Sequence, residues 1–233
     1  ANAPCRYSTL NYPVPEYAVR WAITNCHLMR NRFSVIDLLN YTGIWNEEFV
    51  AKLQARGVNA LGLTGADLGY MRADRRPLKK VGDQMVDYGF VGDVKDTDPT
   101  ILADLIARGV VPVLAPLTHD GKGNMLNTNA DTIAAEVAKA MSRLYKVTLI
   151  YCFEKPGVLL HPDDDNSVIP YISYYDFPRL VDDGTISGGM IPKIQNAFNA
   201  LNAGVSSVLI TSASSLNTLE GTTIAEPAPR VCL

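Results

Sequence analysis

The residues with the most evident chemistry lie in Gly184-Thr-Ile-Ser-Gly-Gly-Met-Ile-Pro-Lys-Ile194, where a glycine-bearing turn feeds a helix whose first turn holds Lys193. A cation there opposes the helix macrodipole at a cost of roughly 0.3 to 1 kcal/mol. An anion held between the ammonium and the backbone N–H groups around Gly188 and Gly189 reverses that cost, since helix starts are natural phosphate sites. The bland alternative is a lysine whose stem lies along apolar surface with its head in water. A second group is Asn127-Thr-Asn-Ala-Asp131. Either Asn127 or Asn129 can cap the helix that follows, and Asp131 falls in its first turn, where a carboxylate is favoured. One cap leaves an amide over. A carboxylate that orients cationic side chains and two amides that hold a substrate use all three residues. Thr64-Gly-Ala-Asp67 places Thr64 and Gly65 at the C-terminal end of a strand, where small loops let backbone N–H groups approach a ligand. Glu154, before the turn Lys155-Pro-Gly157, is placed to bind a ribose hydroxyl or simply to be solvated.

Other chemistries are excluded by pattern. The chain has no G-x-x-x-x-G-K-[ST], no G-x-G-x-x-G after a strand and no G-x-S-x-G. His161-Pro-Asp-Asp-Asp-Asn166 lacks the spacing and central glycine of a calcium loop and reads as a solvated acidic loop. Cys5, Cys26, Cys152 and Cys232 show no C-x-x-C spacing and the three histidines are scattered, so no metal-ligand set and no disulfide framework is indicated. A net charge of −3 on 233 residues argues against nucleic acid and against a polybasic membrane surface. With no apolar run of about 18 residues and no basic-then-apolar start, the expectation is a cytoplasmic protein with reduced thiols.

The elements that must carry these groups alternate from about Asn46 onward. Helices are predicted over Asn46–Arg56, Asp98–Arg108, Ala130–Leu144 and Met190–Ala203, with Gly57, Gly109 and Gly204 closing three of them. Each is followed by an apolar strand: Val58–Leu63, Val110–Ala115, Val147–Phe153 and Val205–Thr211. That pattern argues for a mostly parallel sheet covered on both faces. Val86–Val94 and Thr118–Leu126 read as short hairpins, the second turning at Asp120-Gly121. Residues 1–40 are atypical. The first 42 residues contain no glycine and no lysine but three prolines, and Tyr17–Leu39 is compatible with one or two helices of poor periodicity. The organisation is a single domain over 41–233 preceded by that segment.

Assembled in order, Leu53-Gln-Ala-Arg-Gly-Val-Asn-Ala-Leu-Gly-Leu-Thr-Gly-Ala-Asp67, Gly89-Phe-Val-Gly-Asp-Val94, Pro112-Val-Leu-Ala-Pro116, Asn127-Thr-Asn-Ala-Asp131, Asp183–Lys193 and Gly221-Thr-Thr-Ile224 resemble the amino acid kinase family, specifically its acylglutamate branch. Pro116-Leu-Thr-His-Asp-Gly and Tyr151-Cys-Phe-Glu154 are similar to Bacteroidetes-type members. The resemblance implies a three-layer α/β/α sandwich with a mostly parallel central sheet. It also implies transfer of the ATP γ-phosphoryl group, with Mg²⁺, to the side-chain carboxylate of N-acetyl-L-glutamate or N-succinyl-L-glutamate, a step of arginine biosynthesis. By motif position the resemblance implies that Lys193 stabilises charge on the transferring phosphoryl and that Asp131 orients the catalytic lysines. Asn127 and Asn129 contact the acylglutamate, and Glu154, Gly188, Gly189, Thr64 and Gly65 lie near the nucleotide. Small molecules are the implied partners and a homodimer is an assembly the family allows.

One departure stands beside this. Family members open with Lys-x-Gly-Gly, then a Gly-Gly-Gly turn and a substrate-binding arginine, whereas here no lysine precedes Lys52 and no glycine precedes Gly43. Arg30 and Arg32 are the candidate stand-ins for the arginine. Loss of a phosphate-stabilising cation costs on the order of 10² to 10³ in rate, so weakened activity, a catalytically dead binding module, a truncated remnant and another kinase of the same family are the competing readings.

Overall fold

The computed structural model describes residues 23–24 and 48–225 of the 233-residue chain. In chain order its elements are β1 (Ile23–Thr24), α1 (48–54), β2 (Ala60–Leu63), β3 (Met71–Arg75), β4 (Lys79–Val81), β5 (Gln84–Val86), β6 (Gly92–Thr97), α2 (Pro99–Ala107), β7 (Val111–Leu114), β8 (Leu117–His119) and β9 (Met125–Asn127). They continue with α3 (Ala130–Met141), β10 (Thr148–Phe153), β11 (Tyr171–Ile172), α4 (Asp176–Asp182), α5 (Met190–Asn202), β12 (Ser207–Ser212) and β13 (Thr222–Ile224).

Three helix-to-strand junctions are built alike. After α1, α2 and α5 the chain passes through Gly57, Gly109 and Gly204, whose φ values of +78°, +72° and +103° are left-handed and favour glycine. Each glycine N–H bonds back to the helix (Gln54, Ile106, Leu201) and the valine after it bonds one residue further (Leu53, Leu105, Ala200). This paired closure satisfies the last free carbonyls and turns the chain toward the strand. At the other ends, Asp98 caps α2 by accepting from the Thr100 N–H at 2.9 Å, with Pro99 at the first helical position.

The strands form a mixed α/β architecture. One sheet has the order β1-β10-β12-β13-β11, in which β1, β10 and β12 run parallel and β13 lies antiparallel to β12. β2 and β7 make a parallel pair, and β6-β3-β8-β9 a second sheet in which only β3 and β8 are parallel. The parallel pairs β10–β12 and β2–β7 join strands that each follow a helix or lead into one, and the antiparallel pairs β4–β5 and β8–β9 close short local connections. α3 packs on α5 and on β10, and their buried alanines (Ala134, Ala138, Ala197, Ala200) keep bulk out of that layer. The main core joins these helices to Leu149, Tyr151, Val208 and Ile210, while Ile150, Cys152 and Leu209 form a smaller cluster on the alternate strand positions.

Two expectations need correction. Val86–Val94 is not a hairpin: the hairpin is β4–β5, one segment earlier, turning at Gly82-Asp83 with Gly82 at φ +60°. Val86 ends that ribbon, and Gly92 opens β6, which pairs with β3. A two-residue turn with glycine first matches the twist of the strands, but β4 and β5 are exposed, so no alternation marks them. Within Tyr17–Leu39, Ile23–Thr24 is a strand rather than a helix, parallel to β10, and the remainder lies outside the described residues. The hairpin over Thr118–Leu126 is present as β8–β9.

Candidate functional site

The segment from Asn127 to Asp131 joins the end of β9 to α3 and is pinned residue by residue. The Asn127 N–H donates to the Phe90 carbonyl at 2.8 Å and the Thr128 N–H to the Pro116 carbonyl at 3.0 Å. Thr128, buried between the asparagines, shares a hydroxyl hydrogen bond with Thr118 at 2.9 Å and reaches the Gly92 carbonyl at 3.3 Å. Gly92 has no room for a side chain, because a Cβ there would lie within 2.9 Å of Thr118, Leu126 and Thr128. Of the two asparagines, Asn129 is the cap: its Oδ1 accepts the Thr132 N–H at 3.1 Å. Asn127 is half-buried, and Asn129 is exposed.

Asp131 follows in the first turn of α3 and is buried. Its Oδ2 stands 3.7 Å from Lys193 Nζ, with the two side chains 12 % and 21 % exposed. Lys193 lies in the first turn of α5, which starts at Gly189 with no side-chain cap; Gly188 is left-handed at φ +54°, and around both glycines the space is open. Helical side chains lean toward the N-terminus, so the ammonium is carried back over this uncapped start. The Phe153 ring lies beneath it, 3.6 Å from Nζ to the centroid. Phe153 stacks on Tyr151 at 6.0 Å and 17°, and the Tyr151 hydroxyl donates to the Asp131 carbonyl at 3.2 Å. Burial, and next Asp131, push the Tyr151 phenol well above its ordinary pKa, so it stays a neutral donor. The sequence puzzle of a lysine opposing the helix dipole thus has a local answer in a carboxylate and an aromatic face, with the remaining donors of the ammonium available to an anion.

The other predicted residues fall around this centre to different degrees. Glu154 follows Phe153 directly and is exposed at the end of β10. Thr64 and Gly65 sit beyond β2, linked to the Asn127 segment through β8, because the Gly65 N–H donates to the Leu117 carbonyl and Leu117 pairs with Asn127. Their own N–H groups are engaged: Thr64 donates to Asp67 Oδ2 at 2.6 Å and Gly65 to Leu117 at 2.7 Å. A Cβ on Gly65 would meet the Met71 and Leu117 carbonyls at 2.8 and 2.9 Å, so close backbone approach already explains this glycine. Phe153, Tyr151 and Thr128 fall within motifs quoted from the sequence, but no site role is assigned to them there. Arg30 and Arg32 lie outside the described residues.

A cation fixed between a carboxylate and an aromatic face, over a glycine-bearing helix start at the C-terminal end of a parallel strand, is a geometry for holding an anionic group in place. Residues 13–212 match the amino acid kinase family, and the chain belongs to that family. Among its relatives, the acetylglutamate kinase of Bacteroides thetaiotaomicron is 62 % identical over 184 residues, covering 79 % of this chain and 70 % of that protein. The acetylglutamate kinase of Bacteroides fragilis is 61 % identical over 184 residues, covering 79 % and 69 % respectively. In fold, the crystal structure of smu.665 from Streptococcus mutans is similar with a TM-score of 0.65 at 29 % identity, covering 83 % of this chain and 74 % of that one.

Proposed function

We propose that the chain transfers the γ-phosphoryl group of ATP to the side-chain carboxylate of N-acetyl-L-glutamate, or of N-succinyl-L-glutamate, in arginine biosynthesis. The observation that carries this reading is the Lys193 ammonium 3.7 Å from the Asp131 carboxylate at two facing helix starts. Phosphoryl transfer asks the protein for positioning and positive charge. Lys193 takes up charge developing on the transferring phosphoryl oxygens, Asp131 holds the ammonium on line, and Asn127 and Asn129 contact the acylglutamate. Glu154, Gly188, Gly189, Thr64 and Gly65 border the nucleotide. No general base is needed, because a carboxylate is already the nucleophile. Mg²⁺ would enter with the nucleotide and, bound to its phosphates, would supply neutralisation of their charge.

The reading places the enzyme in the cytoplasm, as one kinase domain over 41–233, with a homodimer as an assembly open to it; light scattering of the full chain tests the last point. An ADP-release assay with each acylglutamate tests the activity. Turnover that falls with Lys193→Met supports it, and no ADP release above background with either substrate rejects it. The absence of lysine and glycine from the first 42 residues favours a second reading, binding without turnover. Calorimetry showing nucleotide and acylglutamate affinity in a chain with no ADP release is its signature.

A further inference from the structure

The four contacts around Lys193 close a circuit. Lys193 pairs with the Asp131 carboxylate, the Asp131 carbonyl accepts from Tyr151, Tyr151 stacks on Phe153, and the Phe153 ring returns to Lys193. Tyr151 and Phe153 are two apart on β10 and so share one face of the strand. Tyr151 is fully buried, which makes it a rigid support for the half-buried ring beside it.

We propose that Phe153 is a positioning residue for Lys193, with Tyr151 as its brace; the proposal rests on the reading of Lys193 as the cation that meets the phosphoryl group. The chemistry of the ring suits that task. The negative face of an aromatic ring attracts an ammonium without acting as an ordinary hydrogen-bond acceptor. An aliphatic residue at this place leaves the lysine free to swing toward solvent. A second carboxylate fixes it but competes directly with the incoming anion. The ring sits between these limits: it holds the ammonium from one side, Asp131 holds it from another, and the N–H donors not turned to Asp131 remain for phosphoryl oxygens.

The test uses the full chain with Phe153→Leu, which keeps apolar bulk and removes the ring face, and with Phe153→Tyr and Phe153→Trp, which restore it. Expected is a fall in kcat of about thirtyfold in Phe153→Leu, the rate equivalent of one desolvated cation–π contact. The KM for the acylglutamate stays near wild type, and Tyr or Trp recovers most of the rate. An activity-independent readout comes from protein labelled at lysine Cε. The Lys193 Hε signal, assigned by its loss in Lys193→Arg, is shifted upfield by the ring in wild type and in Phe153→Tyr, and returns to the ordinary lysine position in Phe153→Leu. Wild-type rate in Phe153→Leu, or a Tyr variant as slow as the Leu variant, overturns the proposal. So does a Lys193 signal with no upfield shift in wild type, whatever the turnover. A chain that shows the shift but releases no ADP sinks the kinase reading instead, and Phe153 remains the residue that places Lys193.

Discussion

Replacing Asp131 by asparagine is the sharpest perturbation of this centre, because it keeps the shape of the side chain and removes only its charge. Two unit charges at about 4 Å attract by about 4 kcal/mol at an effective dielectric near 20, and Oδ2 and Nζ are 3.7 Å apart. That is an upper figure. Both groups are largely withdrawn from water, and their lost hydration offsets most of the attraction, so the net stabilisation is about 1 to 2 kcal/mol. In a chain of this size it corresponds to a melting temperature lower by about 2 to 8 °C. The kinetic effect is larger, since Asp131→Asn leaves Lys193 with the Phe153 ring but without the carboxylate that aims it, and misplacing a phosphate-stabilising cation costs on the order of 10² to 10³ in kcat. A double-mutant cycle with Lys193→Met isolates the pair. Once the ammonium is gone, Asp131→Asn should no longer cost stability, giving a coupling of about 1 to 2 kcal/mol by thermal or urea denaturation. Coupling near zero, or a wild-type kcat in Asp131→Asn, refutes the reasoning, because either result means that the two groups do not act on one another.

Four further outcomes follow from the structure. Gly65→Ala destabilises by about 1 to 3 kcal/mol in urea denaturation, because the new methyl meets backbone carbonyls that no rotamer change can move. Thr128→Val costs about 1 to 3 kcal/mol, since it removes the Thr118 and Gly92 hydrogen bonds inside the core; an unchanged melting temperature contradicts the pinning role. Asn129→Ser keeps a capping oxygen, so stability stays within about 0.5 kcal/mol of wild type, and a raised KM for the acylglutamate then reports a substrate contact by the lost amide. Asp120 accepts from Asn124 and from the Lys122 N–H, and these bonds hold its carboxyl down from 3.8 to about 2. Being depressed in the folded state, it supports the β8–β9 turn above pH 4 and releases it as pH falls through about 2, so the Lys122 and Asn124 amide shifts should titrate there, and a midpoint near 3.8 contradicts the contact.

The parts of this protein legible in its sequence are those that backbone geometry dictates over a few residues. Gly57-Val58, Gly109-Val110 and Gly204-Val205 announce a helix end and a strand start because a left-handed glycine with an apolar successor is the usual way to close a helix in that manner. Lys193 stood out for a similar reason, being a cation where the helix field disfavours one, and Asp131 because a carboxylate belongs in a first turn. The ribbon β4–β5 was missed, since its exposed strands bury neither face and carry no period to read.

The supporting residues escaped for a different reason. Tyr151 and Phe153 read as two more apolar positions of a buried strand, and Thr128 as filler between two asparagines. In sequence, nothing separates a phenylalanine that fills a core from one that lies under an ammonium 40 positions later, because the difference is set by how α5 crosses the end of β10 and is expressed only in the 3.6 Å contact. Local rules therefore find the groups that carry charge, and packing decides which neutral side chains hold them in place. The consequence is asymmetric: chemistry at this site is readable one motif at a time, whereas its precision depends on contacts among α3, β10 and α5 that exist only once the three are packed together.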